Sequence, residues 1–137
     1  MGEVRARVRL TNAVDEENAL RNIIKPEEIR SYVADALIDT GAVRSVVPGF
    51  VVERLGLRVR GHKVVEYADG RKERVGMTGP VAFDIDGRDT LEEALILGDE
   101  VIIGQTVLEK MDLFVDCANR RLFPNPAHPD QPISKMK

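Results

Sequence analysis

The segment Ala36-Leu37-Ile38-Asp39-Thr40-Gly41-Ala42 puts one potentially reactive group in a constrained setting. The residues before Asp39 are apolar, so its carboxyl group is expected to leave a buried strand and enter a tight turn at once. Gly41 supplies the backbone freedom and the missing side chain that such a turn needs, and Ala42 keeps the space beside the carboxylate narrow. A carboxyl group held in this way can accept or donate a proton in acid–base chemistry. It can equally brace its own turn by bonding to nearby backbone, and turn aspartates greatly outnumber catalytic ones. The tripeptide alone leaves both roles open.

Other reactive constellations are poorly supplied. Cys117 is the single cysteine, so an intramolecular disulfide is impossible and a structural zinc site lacks ligands. A nucleophilic cysteine or serine needs an imidazole beside it. Only His62 and His128 are present, and His128 lies in a proline-rich stretch. No metal and no cofactor is expected. The net charge of −3 argues against a nucleic-acid module, which requires clustered Lys and Arg facing phosphates. Arg5, Arg7 and Arg9 alternate with Val4, Ala6, Val8 and Leu10 at the period of a half-buried strand, which makes them a solvated face. No apolar run approaches the length of a membrane span and the N-terminus lacks a signal-like apolar stretch, so no membrane association and a cytoplasmic location are expected.

The elements that must hold Asp39 are mainly strands. A chain of 137 residues is the size of one domain. Aromatics make up 4% of it and Trp is absent, so the core must be built from Val, Ile, Leu and Ala, which favours β structure. Val4 to Leu10 reads as an opening strand, and Asn12 to Lys25 as a connection with room for a short helix around Glu16 to Asn22. Ile29 to Ile38 reads as the strand that delivers Asp39, and Val43 to Val47 resumes strand character. After the Pro48-Gly49 turn signal, Phe50 to Leu55 can form a short helix closed by Gly56 as a left-handed cap. Two hairpins follow, turning at Asp69-Gly70 and Asp86-Gly87. Val101-Ile102-Ile103 is a short strand ending at Gly104, and Gln105 to Met111 is the best helix, with Val107, Leu108 and Met111 on one face. Leu113 to Val115 and Arg121 to Phe123 pair last. The prolines from Pro124 onward suggest a domain over 1–123 and a proline-rich flexible tail over 124–137.

Two of these pieces together reverse the odds for Asp39. An apolar-apolar-Asp-Thr-Gly-Ala segment, then a hairpin, then Val101-Ile102-Ile103-Gly104 running into a helix resembles the retropepsin-like aspartic proteases, including their bacterial and archaeal single-lobe branch. The resemblance spans roughly Ile29 to Phe123, and Pro48 with Val51 to Leu57 resembles the turn and helix those members carry after the Asp loop. It implies a mainly β, single-lobe acid-protease barrel with one short C-terminal helix. It also implies that Asp39, Thr40 and Gly41 are catalytic, with Thr40 hydrogen bonding across a subunit interface and Gly41 keeping the carboxylates coplanar. Ala42 and the hairpin tip Tyr67, Ala68, Asp69 and Gly70 would contact an extended polypeptide substrate. Val43 and Arg44 stand where retroviral enzymes usually place an acidic residue.

Peptide hydrolysis by carboxylates needs one group to activate water and another to protonate the departing amine. No second Asp-Thr/Ser-Gly occurs in the chain. The resemblance therefore implies a homodimer in which two copies of Asp39 meet across a two-fold axis, acting as an endopeptidase on peptide or unfolded polypeptide. The competing expectations are a catalytically silent module of the same fold that binds peptides or dimerises, and a small β-barrel ligand-binding protein.

Overall fold

The computed structural model describes residues 2–136; Met1 and Lys137, the outermost residues of the expected domain and tail, lie outside the described residues. Nine strands and three α-helices follow in the order β1 (Val4–Asn12), α1 (Ala13–Leu20), β2 (Ser31–Ile38), β3 (Val46–Val47), α2 (Gly49–Leu55), β4 (Val59–Glu66), β5 (Lys72–Ile85), β6 (Arg88–Ile96), β7 (Ile102–Ile103), α3 (Gln105–Met111), β8 (Leu113–Asp116) and β9 (Arg121–Pro124), with a 3-10 turn at Pro26–Glu28 before β2. β1 pairs with β2 along its length and also with β5, so the order β1-β2-β7-β3-β6-β5 returns to β1 and closes a barrel. β4 adds to β5 outside that ring.

Alternation in the sequence decides which face turns inward. In β1, Val4, Val8 and Leu10 are buried while Arg7 and Arg9 are exposed, as a strand with one covered face requires. Ala34, Ala36 and Ile38 of β2, Val81, Phe83 and Ile85 of β5, and Ile103 of β7 join them in one core. A second, smaller cluster of Val46, Val75 and Leu95 lies where β4–β5 meets β3 and β6.

β5 differs from the expected pattern. The hairpin segments expected at Arg74 to Met77 and at Val81 to Ile85 belong to one strand, which continues through Thr78-Gly79-Pro80 with a register irregularity between Met77 and Pro80 opposite β6. Proline is tolerated at such a bulge because the ladder there has no place for its missing N–H. One strand thus serves both the barrel, by its C-terminal part, and the projecting β4–β5 hairpin, by its N-terminal part.

Helix α3 is the short C-terminal helix of the expected fold, and α1 and α2 fill connections. Asn12 joins these two: its side chain accepts from Asp15 N at the start of α1 and donates to Leu55 O at the end of α2. Residues after Pro124 run back across the end of α3. Asp112 accepts from Asn125 Nδ2 and Ile133 N and lies 2.6 Å from His128 Nδ1, and Arg88 donates to the carbonyls of Met111, Asp112 and His128. Asp112 is held below the usual carboxylate range, first by the hydrogen bond from Asn125 and then by those from His128 and Ile133.

Candidate active site

β2 carries Asp39 to the end of the barrel. Leu37 and Ile38 pair in parallel with Ile102 and Ile103, and the last ladder bond is donated by Asp39 N to Ile103 O at 3.0 Å. The chain then leaves the sheet. Asp39 itself is half-buried, Thr40 and Gly41 are exposed, and Ala42 is half-buried. Asp39 Oδ1 accepts from Gly41 N at 2.9 Å, and Ala42 N donates to Asp39 O at 3.1 Å. A side chain at Gly41 would put its Cβ 3.2 Å from that same Oδ1, tight enough to disturb the turn. One oxygen of Asp39 therefore braces the loop while the other has no protein partner among the described residues, so bracing the turn does not occupy the whole carboxylate.

The loop is fixed from outside by the start of α3. Gln105 N donates to Ala42 O at 2.8 Å and Thr106 N to Val43 O at 3.1 Å. Thr106 Oγ1, with a single proton to donate, lies 3.0 Å from Val43 O and 2.9 Å from Glu92 Oε1. Ser45, fully buried, accepts from Gly104 N at 2.9 Å through its hydroxyl. Gly104 is needed because a Cβ there would stand 2.6 Å from the carbonyl carbon and oxygen of Arg44 and 2.9 Å from Ala42 O. That is the physical content of the Ile-Gly pair in the sequence: only a residue without a side chain lets the Asp39 loop lie on the helix entrance. Ile38, Ile103, Val107 and Leu108 are all buried beneath it.

Sequence reasoning did not single out Ser45 or Thr106. Each fixes the loop through a contact to a residue about sixty positions away, and nothing local marks a serine or threonine for that duty.

The hairpin tip is built differently. Tyr67 is half-buried and Ala68, Asp69 and Gly70 are exposed. Gly70 N donates to Tyr67 O and Tyr67 N to Arg71 O, closing the turn. The Tyr67 hydroxyl donates to Glu73, and the Arg71 guanidinium stacks on the Tyr67 ring at 4.2 Å. That bond to Glu73 raises the Tyr67 phenol above its ordinary range. Among the described residues no hydrogen bond joins the tip to the Asp39 loop. The two are linked at the base of the hairpin, where Arg44 Nη2 reaches Met77 Sδ of β5 at 4.0 Å and Glu93 O of β6 at 3.4 Å.

Among the described residues of one chain, Asp39 has no second carboxylate in hydrogen-bond reach. A cavity of about 400 Å³ lined by Asn12, Asp15, Arg30, Arg58 and neighbours lies at the other end of β1, away from Asp39. Asp39 lies instead, half-buried, in the loop at the end of β2.

Comparison with solved structures identifies the architecture. The retroviral protease-like domain of Ddi1 from Leishmania major matches with a TM-score of 0.57 at 16% identity, over 92% of this chain and 90% of that one. EIAV protease complexed with the inhibitor HBY-793 matches with a TM-score of 0.51 at 20% identity, over 79% of this chain and 86% of that one. The fold is that of the retropepsin-like proteases. No protein-family model matches the sequence, and no curated protein does either.

Proposed function

We propose that this chain is one half of a homodimeric aspartic endopeptidase whose catalytic dyad is Asp39 of each copy. The observation that carries the reading is the state of the Asp39 carboxylate. It stands half-exposed at the end of a buried strand, on a loop fixed by Gly104, Ser45 and Thr106, and one of its oxygens has no partner among the described residues. Such a group is positioned but not neutralised. The retropepsin-like fold and the Thr40-Gly41 continuation agree with it.

Two such carboxyl groups brought together share a proton, because like charges a few ångström apart resist joint ionisation. The ionised one takes a proton from water, which attacks the scissile carbonyl; the protonated one donates to the amide as it breaks. Thr40, exposed in the single chain, is available to hydrogen bond across the two-fold axis and hold the dyad flat. The β4–β5 hairpin covers an extended substrate that pairs with it as an added strand, with Ala42 limiting the space beside the dyad and Tyr67 to Gly70 at the tip.

The test joins sedimentation with digestion of a diverse peptide library. The wild-type chain is expected to be a dimer that cleaves with a bell-shaped acidity profile, highest on the acid side of neutral, and hydroxyl-bearing isosteres of the tetrahedral species should inhibit it. Asp39→Asn should leave the dimer intact and abolish cleavage. A dilution-resistant monomer with full activity, or an Asp39→Asn protein cutting at the wild-type rate, overturns the proposal. A folded dimer that cuts nothing assigns the chain to the silent peptide-binding or dimerisation module.

A further inference from the structure

Arg44 is five residues beyond Asp39 and lies where the Asp39 loop meets the base of the β4–β5 hairpin, so a polypeptide passing between them runs by its guanidinium. Its Nε is buried and is the one such side-chain N or O atom without a hydrogen-bond partner among the described residues. A buried donor left unpaired is unfavourable, and proteins rarely retain one without a reason. The remaining contacts of this guanidinium are weak. Nη2 touches Met77 Sδ and Glu93 O, and the Glu93 carboxylate is 3.7 Å away while also serving Arg60 at 3.4 Å. Two guanidinium groups thus share one carboxylate, which leaves a positive charge uncompensated. Nη1 of Arg44 makes no hydrogen bond among the described residues.

The hairpin strengthens this field. Residues 58–74 contain Arg58, Arg60, Lys63, Arg71, Lys72 and Arg74 against three carboxylates. That is an excess of three positive charges in a chain whose net charge is −3, so the rest of the molecule carries −6. Lys63 is directly opposite Val75 in the ladder, so both point to the same face, and Met77, two residues on from Val75, shares it. This is the face that Arg44 touches. Lys63 has no ion-pair partner among the described residues. Glu73, on the same face nearer the tip, is engaged by the Tyr67 hydroxyl.

We propose that Arg44, supported by Lys63, is a specificity-determining residue that pairs with an acidic side chain of the polypeptide near the bond to be cut. The inference rests on the peptidase reading for its chemistry but is tested without turnover. The planar fork of Arg fits a carboxylate in two-point contact; with Nε buried, a substrate carboxylate meets the two terminal nitrogens, of which Nη1 has no hydrogen-bond partner among the described residues.

The test measures binding of fluorescent peptides to the full-length Asp39→Asn protein, then cleavage by wild type. Peptides carrying Glu or Asp at one position should bind about tenfold tighter than their Gln or Asn analogues, the size of one charge-assisted contact, and the preference should weaken with added salt. Adding Arg44→Gln should erase it, Arg44→Glu should turn it toward Lys and Arg peptides, and Arg44→Lys should keep part of it. Unchanged circular dichroism shows that each variant is folded. Equal binding of acidic and neutral peptides, or an acid preference that survives Arg44→Gln, overturns the inference whether or not cleavage occurs. Selective binding by a wild-type protein that cuts nothing supports the acid-binding cleft and removes the peptidase reading.

Discussion

Asp15 and Asp39 occupy opposite ends of the β1–β2 ribbon, and the fold treats them in opposite ways. Asp15 is 6% exposed and accepts from Arg30 three times, from N at 3.1 Å, Nε at 2.9 Å and Nη2 at 3.0 Å. Arg30 hydrogen bonding holds it below the ordinary carboxylate range. Asp39 is half-exposed, has no ion pair among the described residues, and accepts one bond, from the backbone of its own loop. Asp15 holds structure together, and its acceptor sites are filled by doing so. At Asp39 the neighbours hold the loop and leave the carboxylate open, which is what a group must be if it is to exchange protons with a bound molecule.

The strongest test of this contrast attacks what holds the Asp39 loop. Gly104→Ala would drive a Cβ into the backbone of Arg44 and Ala42. Main chain, not a flexible side-chain end, would have to move. A loss of about 3 kcal/mol is expected, the upper end for overpacking, with loss of any cleavage because the loop shifts with it. Urea unfolding of the variant beside wild type checks this. A variant of wild-type stability would mean that the helix entrance does not clamp the loop.

The next effect is smaller and concerns the occupied carboxylate. Asp15→Asn keeps the shape but removes the charge that faces Arg30, and a loss of about 1–2 kcal/mol is expected at neutral pH. Arg30 is half-exposed, so water screens part of the pair. The sign with pH follows from the direction of the shift. A carboxylate depressed in the folded state contributes stability that is present above its unfolded value, about 4, and is lost as pH falls through the folded value. The gap between wild type and variant should therefore close in acid. A gap that is constant from neutral to strongly acid pH would show that the charge of Asp15 is not what stabilises the fold.

How well each region could be read from the sequence follows from the range of its interactions. The Asp39 loop was legible because its constraints are local: apolar residues lead in, Thr40-Gly41 turns, and Gly104 follows an apolar strand. The helix over Gln105 to Met111 and the turn at Asp86-Gly87 were legible for the same reason. The Asp15–Arg30 pair was not, because two charged residues in a polar connection look like solvent-facing ones until α1 packs against the 3-10 turn that leads into β2. Ser45 and Thr106 were silent for want of any pattern that joins them to Gly104 and Val43. The continuity of β5 through Pro80 was hidden by residues that usually end a strand. Nor did Arg44, noted only as standing where an acid is usual, disclose its unpaired Nε, since that depends on what Met77 and Glu93 offer across the barrel.

The smallest expected effect is the one that most directly separates the two carboxylates. Asp39→Asn should change folding stability by no more than about 0.5 kcal/mol, the range of substitutions that disturb no structural contact. Its Oδ1 can still accept from Gly41 N, so the loop keeps its brace. No cation is left behind, because none faces Asp39 among the described residues. In a dimer that brings two copies together, the side-chain amides can hydrogen bond to each other where the carboxyl groups shared a proton, so the dimer should persist. Urea unfolding and sedimentation of wild type and variant, side by side with Asp15→Asn, make the comparison. If Asp39→Asn costs more than about 1 kcal/mol, or as much as Asp15→Asn, the carboxylate is a structural brace like its counterpart, and the turn role left open by the tripeptide is the one the fold uses.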